Sequence, residues 1–325
     1  LGDSVARILA FAGHDVSREY YVNDYGRQME LFGASVAARY AQLLGVPGDV
    51  PEDGYHGDYV ADVARVMQVE VGDERRDRVS PPDDDTLALF ARRGGELMPD
   101  GILAELDAFR VRFDVVSHET PLHDTGVVAA RLDELREAGH AYDQDGALWF
   151  RSSAFDKAAR MGGRMIDVLG ADHHGYIGRL KAVMAAGGYD PGRLEVLIVQ
   201  LVSLIEQGEA RKMSKRAGTL VTMADLVRDI GVDAARFFLV ERSSDTTMDL
   251  DLELARERSQ ENPVYYVQYA HARCCSILRK AAEEGVERGD APPPGVLGDD
   301  ERALIQRLAG WPAVVTEAAA RRAPH

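Results

Sequence analysis

Apolar residues near the start of the chain change from helical to strand spacing and back again. Residues 5–12 place apolar side chains on one face of a helix that ends at Gly13. Residues 16–22 are rich in Tyr and Val and predict a strand, and residues 29–40 return to helical spacing. We therefore predict a βα unit whose connecting loop, which begins at Asn23, carries ligand-binding residues.

The same alternation returns in the middle of the chain. Apolar runs predict strands at 113–116, 147–150, 165–169 and 194–199, and helical spacing is found at 127–135 and 177–184. Strands that alternate with helices in this way are typical of an α/β protein with a mostly parallel sheet.

Residues 46–101 interrupt the alternation. Pro and Gly break the chain between 47 and 57, and the segment 80–85, which reads Ser-Pro-Pro-Asp-Asp-Asp, predicts a turn or surface loop. A helix is predicted between these breaks, at 59–69. We interpret the region as an insertion on the main sheet, and its acidic residues as a solvated face in preference to a metal site.

After about residue 222 we predict that the strands stop. Thr222 and Asp225 have the spacing of a capping box, and the helix that they start is predicted to end at Gly231. A longer helix with apolar residues three and four positions apart begins at Asn262. Residues 285–295 include three consecutive prolines and predict a linker, beyond which the composition is again helical.

Composition and charge narrow the class of protein. The chain has 325 residues, of which 46% are hydrophobic and 28% charged, which is ordinary for a globular protein of about two domains. Its two cysteines are adjacent and predict reduced thiols, which favours the cytoplasm, and no apolar run is long enough for a membrane helix. The net charge of −16 repels phosphate backbones, so any nucleic-acid role must depend on local basic patches.

One such patch is the segment 211–219, which reads Arg-Lys-Met-Ser-Lys-Arg-Ala-Gly-Thr and holds four cations. It could be a solvated basic loop. It could also be a mobile loop that neutralises a polyphosphate, because lysine ammonium groups stabilise the charge that develops on a leaving pyrophosphate. Ser214 would add a hydroxyl donor, and Gly218 would let the loop flex.

Within this segment, residues 212–215 match the KMSK signature of class I aminoacyl-tRNA synthetases. Longer segments make the resemblance more specific, and they lie at 20–28, 51–55, 170–176, 200–202, 213–219 and 262–273. Together they resemble arginyl-tRNA synthetases of the bacterial type over nearly the whole chain.

The resemblance implies a Rossmann-type α/β fold and a division into domains. Residues 1–221 would form a parallel-sheet catalytic domain with the insertion at about 46–101, and residues 222–261 a connecting helical segment. Residues 262–325 would begin an α-helical anticodon-binding domain that is truncated at His325. The implied function is the ATP-dependent activation of arginine and its transfer to tRNA(Arg), with Mg²⁺ accompanying ATP. We expect a monomer in the cytoplasm without a membrane contact.

The resemblance also implies site residues. Lys212 and Lys215 would stabilise the phosphates in catalysis. The residues implied to bind ATP are Gly170, Asp172, His173, Met213 and Ser214, and those implied to bind the amino acid are Asn23, Asp24, Gln28, His173 and His174. Asn-Asp sequences also favour turns, so Asn23 and Asp24 have a structural alternative.

Tyr269, Arg273 and Arg279 are candidates for tRNA binding, because aromatic and basic groups share one predicted helix. The alternative for Tyr265 and Tyr269 is an amphipathic helix that docks on the catalytic domain.

Two departures from the family's pattern matter. The HIGH signature of these synthetases would lie just before Leu1, and the stretch between Phe155 and Met165 is shorter than in the family, where it contains a Tyr and an Asp that hold arginine. We therefore expect an incomplete copy that is inactive as it stands. A non-catalytic RNA-binding fragment is the alternative function, and a metal-dependent hydrolase at Asp172, His173 and His174 is a third. Adjacent histidines usually point to different sides, so no metal site is predicted.

Overall fold

The structure, a computed structural model, describes residues 1–144, 147–150, 163–210, 221–287, 289, 295 and 297–325. Its α-helices are α1 Gly2–Phe11, α2 Arg27–Leu43, α3 Asp58–Val71, α4 Asp84–Ala108, α5 Thr120–Asp124, α6 Val127–Glu137, α7 Ile177–Ala186, α8 Met223–Phe238, α9 Leu252–Arg256, α10 Pro263–Glu283, α11 Asp299–Ala309 and α12 Trp311–Arg321. Its strands are β1 Glu19–Val22, β2 Val115–His118, β3 Ala141–Gln144, β4 Ala147–Phe150, β5 Met165–Gly170, β6 Leu194–Val199, β7 Val202–Glu206, β8 Glu209–Ala210 and β9 Met248–Asp251.

The strand pairings confirm the predicted parallel character. The pairs β1–β2, β5–β6 and β7–β9 are parallel, whereas β3–β4 and β7–β8 are antiparallel. In the first pair the register runs from Glu19 opposite Val115 to Val22 opposite His118. The loops that follow Val22 and His118 therefore leave the same end of the pair.

The helices α2, α3 and α4 share one apolar core. Val36 and Tyr40 on α2 are fully buried, and the Tyr40 ring meets that of Phe90 on α4 edge-on at 5.0 Å between ring centres. A Cβ atom at Gly33 would lie 2.7 Å from the backbone nitrogen of Ala91, so the close approach of α2 and α4 requires glycine there. This core holds α2 in place, and the first turn of α2 borders the candidate site.

The helix α4 corrects the prediction for residues 80–101. Its 25 residues begin directly after Asp83, whose carboxylate accepts a hydrogen bond from the Thr86 N–H at 2.9 Å. The acidic residues 83–85 therefore start a helix and do not form only a surface loop. The predicted end of the insertion, at residue 101, lies inside α4. Gly94 and Pro99 are both buried within the helix, and Gly94 packs against the Phe32 ring.

The prediction that the strands stop after residue 222 is wrong, because β9 pairs in parallel with β7. Met248 and Leu250 are buried and alternate with exposed aspartates, which is the period of a half-buried strand. The predicted capping box is confirmed, since the Thr222 hydroxyl and the Asp225 carboxylate each accept a hydrogen bond from the other residue's backbone N–H. The backbone kinks at Gly231 with a φ of 80°, where the sequence predicts a helix end.

Two further cores join distant segments. Phe109 at the end of α4 packs with Leu204 of β7, Phe238 of α8 and Leu250 of β9, which joins residues 222–261 to the preceding sheet. In the third core, Ala319 of α12 packs with Val5 and Leu9 of α1. Within the described residues, no helix is both long and apolar enough to cross a membrane.

Candidate functional site

The loops that follow β1 and β2 are held together by Asp24. One of its carboxylate oxygens accepts a hydrogen bond from the Thr120 N–H at 2.8 Å, and the other lies 2.7 Å from Nδ1 of His118. The Thr120 hydroxyl donates in turn to the Asp24 carbonyl oxygen at 2.8 Å. These contacts follow from the parallel register, which brings Val22 beside His118.

The charge of Asp24 is stabilised by the same contacts. Burial acts to raise its pKa, but hydrogen bonds from the Thr120 backbone and from His118 outweigh it and lower the pKa below its ordinary value. The Asp24 carboxylate is therefore ionised at neutral pH and joins the two loops. This geometry supports the structural alternative for Asp24.

A cavity of about 280 Å³ lies beside the β1–α2 loop and contains three of the predicted substrate-binding residues, Asn23, Asp24 and Gln28. The aromatic side chains that line it are Tyr20, Tyr21, Phe32, Tyr55 and Tyr59. Asn23 and Gln28 are exposed, and no hydrogen bond to either side chain is found among the described residues. Their polar groups are thus open to a ligand.

The sequence prediction missed Glu119, which follows β2 directly. The Glu119 carboxylate lies 3.3 Å from Nε2 of His123, and its charge is near Tyr21, a residue that lines the cavity. Burial raises the pKa of Tyr21 to about 12, and the hydrogen bond to Glu119 and its negative charge act in the same direction. Asn23 was singled out as a polar residue directly after an apolar strand, and the same position after β2 could have found Glu119.

The second predicted part of the substrate site lies at the end of β5. Gly170 precedes a 3-10 helix, Ala171–Tyr176, in which Nε2 of His173 lies 3.6 Å from a carboxylate oxygen of Asp172. The His173 side chain is half exposed and its ring is tilted against that of Tyr176 at 5.5 Å. Among the described residues that line the cavity none comes from this segment, so the structure does not bring His173 or His174 into the cavity of Asn23 and Gln28.

Metal ligation was a weighed alternative at Asp172, His173 and His174. In the part of the chain that the structure describes, no group of three or more His, Cys, Asp or Glu side chains is arranged to hold a metal ion. Lys212, Met213, Ser214 and Lys215 all lie outside the described residues, as does the segment from Asp156 to Gly162.

The predicted tRNA-binding residues lie on α10. The helix begins where predicted, with the Asn262 side chain accepting a hydrogen bond from the Val264 N–H at 3.0 Å. Arg273 donates a hydrogen bond to the Tyr269 hydroxyl at 3.1 Å, and both side chains are exposed, as is that of Arg279. The Tyr269 ring is therefore available to a partner.

Comparisons with known protein families indicate the class of protein to which this fold corresponds. Residues 194–253 match the family described as tRNA synthetases class I (I, L, M and V), and residues 267–325 match the DALR anticodon binding domain. The first match spans β6, β7 and β9, and the second spans most of α10 together with α11 and α12. The fold is thus that of a class I aminoacyl-tRNA synthetase, with parallel strands followed by a helical DALR domain.

Similar proteins whose function is known indicate which class I synthetases this chain resembles. The arginine–tRNA ligase of Anoxybacillus flavithermus is 45% identical over 352 positions, and that of Bacillus subtilis is 43% identical over 352 positions. Both alignments cover 100% of this chain but only 63% of the relative. They extend over 27 more positions than the chain has residues, which agrees with the prediction of an internally shortened chain.

Solved structures support the same family. A crystal structure assigned to an arginyl-tRNA synthetase of Campylobacter jejuni has a TM-score of 0.84 at 29% identity, with 99% of this chain and 75% of that chain covered. The arginyl-tRNA synthetase of Thermus thermophilus shares the fold, with a TM-score of 0.67 at 21% identity over 100% of this chain and 67% of that chain. Along its whole length the chain is similar to arginyl-tRNA synthetases of class I and bacterial type.

Proposed function

We propose that the gene product is an arginine–tRNA ligase. In the first step an arginine carboxylate oxygen attacks the α-phosphorus of ATP, which forms arginyl-adenylate and releases pyrophosphate. In the second a hydroxyl of the terminal adenosine of tRNA(Arg) attacks the arginyl carbonyl, and AMP leaves. The observation that carries this proposal is the identity of 45% to an arginine–tRNA ligase along the whole chain.

The proposed division of labour follows the predicted domains. Residues 1–221 would hold arginine and ATP, residues 222–261 would connect, and residues 262–325 would contact tRNA(Arg). The cores that join α4 to α8 and β9 support a close mechanical link between the first two parts. A monomer in the cytoplasm is proposed, and the free cysteines Cys274 and Cys275 suit the cytoplasm.

For the guanidinium of arginine we propose Glu119 as the acid. A guanidinium is best held by a carboxylate in bidentate geometry. Glu119 is one-quarter exposed, and its charge lies near Tyr21, which lines the cavity. Asp24 is the poorer candidate because both of its carboxylate oxygens already have partners in Thr120 and His118.

Asn23 and Gln28 are proposed to complete the amino-acid site, since each carries an amide that can donate to a carboxylate and accept from an ammonium. Gly170, Asp172, His173 and His174 are proposed to border the ATP site at the end of β5, where parallel α/β folds bind nucleotides. Lys212 and Lys215 would meet the phosphates, with Met213 and Ser214 beside them.

Magnesium is expected to arrive with ATP, but no step is assigned to it. The described residues contain no three-ligand cluster, so the phosphates of ATP would supply most of its ligands. Catalysis would then consist of positioning and charge stabilisation by the chain's own cations, without a protein nucleophile.

The second candidate function is RNA binding without adenylate formation. It is supported by the exposure of Tyr266, Tyr269 and Arg273 along α10, whose rings and guanidinium could contact RNA bases and phosphates. The two functions differ in whether arginine supports exchange of pyrophosphate with ATP.

The proposed site is tested by Glu119→Gln, measured as tRNA-dependent ATP–pyrophosphate exchange by the complete gene product. Loss of the carboxylate charge should raise the arginine KM by roughly tenfold to a hundredfold, because a hydrogen bond to a charged group contributes about 1.5–3 kcal/mol. The matched control is Glu137→Gln at the exposed end of α6, which should leave the arginine KM unchanged. An unchanged arginine KM in Glu119→Gln would exclude Glu119 from the site.

A further inference from the structure

The side chain of Glu119 is held by a residue one turn away. Glu119 is the residue before α5, yet its side chain makes no capping hydrogen bond to that helix. One carboxylate oxygen instead lies 3.3 Å from Nε2 of His123, one turn further along the chain. The carboxylate is therefore oriented by the His123 side chain and not by the N–H groups of its own helix.

The His123 ring is itself held in place. It stacks on the Tyr25 ring with 3.7 Å between ring centres and 6° between planes. Tyr25 follows Asp24, whose hydrogen bonds with Thr120 tie the β1–α2 loop to the first residue of α5. Rotation of the imidazole would cost the stacking contact, so Nε2 stays directed at Glu119.

A pair four residues apart on a helix could also be an ordinary surface contact. Two observations argue against this here. The His123 and Glu119 side chains are each only 26% exposed. The face of the imidazole also stacks on Tyr25, which lies in another loop. A solvated pair on a helix needs neither feature.

We infer that His123, held by the Tyr25 stack, is a positioning residue that orients the Glu119 carboxylate for a guanidinium ligand. The inference rests on the proposed function, since it assumes that Glu119 receives arginine. His123 itself would not touch the substrate. Because each carboxylate oxygen can accept more than one hydrogen bond, His123 would leave both oxygens of Glu119 able to accept from a guanidinium. It would also limit the rotamers of Glu119 in the free site, so that less ordering is needed when arginine binds.

The test compares four variants of the complete gene product in tRNA-dependent ATP–pyrophosphate exchange. His123→Phe keeps a ring for the stack but removes Nε2, and His123→Gln keeps an N–H donor near the position of Nε2. Glu119→Gln tests the proposed function itself. His14→Phe is the matched control, because His14 is an exposed histidine on the turn after α1.

His123→Phe should raise the arginine KM about tenfold while the ATP KM changes less than about twofold. His123→Gln should restore the arginine KM to within about threefold of wild type, and His14→Phe should leave it unchanged. The melting temperature of His123→Phe, which keeps the stack on Tyr25, should stay close to that of the wild type. A large fall in the melting temperature of this variant would show that Nε2 of His123 acts on stability and would overturn the inference.

The outcomes separate the inference from the proposed function. If Glu119→Gln raises the arginine KM but His123→Phe does not, the inference fails and the proposed function stands. If His123→Phe raises both KM values and His123→Gln fails to restore them, His123 is only structural and the inference also fails. If Glu119→Gln has no effect, the proposed site is wrong.

Discussion

The guanidinium of Arg236 donates a hydrogen bond of 2.5 Å to the carboxylate of Asp3, and this contact joins α8 to α1. The two residues are 233 positions apart, and the Asp3 side chain is only 5% exposed. Arg7 donates a second hydrogen bond to the same carboxylate oxygen at 2.8 Å. The segment after the basic loop is thereby held against the first helix of the chain.

Replacing this carboxylate should destabilise the fold. In Asp3→Asn the Arg236 and Arg7 donors lose a charged acceptor, and we expect a loss of about 1–3 kcal/mol in the free energy of unfolding. Urea denaturation at pH 7 measures it. Asp62→Asn, which removes an exposed acid paired with Arg65 on α3, is the matched control and should change stability by less than about 0.5 kcal/mol.

The same pair predicts a pH dependence. Burial acts to raise the pKa of Asp3, but hydrogen bonds from Arg236 and Arg7 outweigh it, so the pKa lies below its ordinary value of 3.8. The stabilisation by Asp3 is therefore full above that value and is lost as the pH falls through the lowered pKa. The stability difference between wild type and Asp3→Asn should shrink as the pH drops below 3.8. A difference that stays constant down to pH 2 would contradict the assignment.

Asp24 should act mainly as a bridge between the loops after β1 and β2. Asp24→Ala removes the acceptor for the Thr120 N–H, which is partly buried, and should cost about 1–3 kcal/mol in stability. Asp24→Asn keeps an amide oxygen for that hydrogen bond and should lose less than half as much. Thermal denaturation of both variants checks this order. Equal losses would mean that the charge facing His118, and not the hydrogen bond to Thr120, holds the loops.

Lys215 should act on the transition state of arginine activation. If its ammonium meets the charge that develops on pyrophosphate, Lys215→Ala should cost about 2.7–4 kcal/mol, or roughly a hundredfold to a thousandfold in the exchange rate. The fall should appear in kcat with a nearly constant arginine KM. Lys181→Ala on α7 is the matched control. Unchanged exchange would remove Lys215 from the catalytic residues, and a raised arginine KM alone would place the loop at the amino-acid site.

The exposed cations of α10 should contribute to tRNA affinity. Arg273→Ala should weaken tRNA(Arg) binding and reduce the slope of log K against log salt by about 1, because one phosphate contact is lost. Arg302→Ala on α11, whose guanidinium is already bonded to the Leu297 carbonyl oxygen, provides the comparison and should leave the slope unchanged. Filter binding over a range of salt concentrations measures both. An unchanged slope in Arg273→Ala would show that Arg273 does not face a phosphate.

Local signals in the sequence were sufficient for the helix starts at Thr222 and Asn262. The capping residues Thr222 and Asn262 act on N–H groups two or three positions away, so their effect is visible in a short window. The strand β9 and the helix α4 depend on distant partners. Met248 and Leu250 lie on a strand that pairs with β7, and Gly94 lies where the Phe32 ring of α2 approaches α4 closely.

The candidate site divides in the same way. Asn23 was predicted because it follows a clear strand, whereas Glu119 was missed because the predicted strand ended at residue 116, two positions before β2 ends. The importance of Glu119 and His123 comes from the parallel register of β1 and β2, which brings Tyr21 and Tyr25 to them. Such long-range pairing leaves no mark in the local pattern.

The central claim is that the gene product activates arginine, and the most direct test is amino-acid-dependent ATP–pyrophosphate exchange in the presence of tRNA(Arg). A site built around the Glu119 carboxylate should favour the planar guanidinium of arginine over the ammonium of lysine, because only the former binds both carboxylate oxygens in parallel. We expect arginine to support exchange with a kcat/KM at least about a hundredfold above that of lysine. Equal exchange with both amino acids, or none with arginine by the complete gene product, would contradict the account.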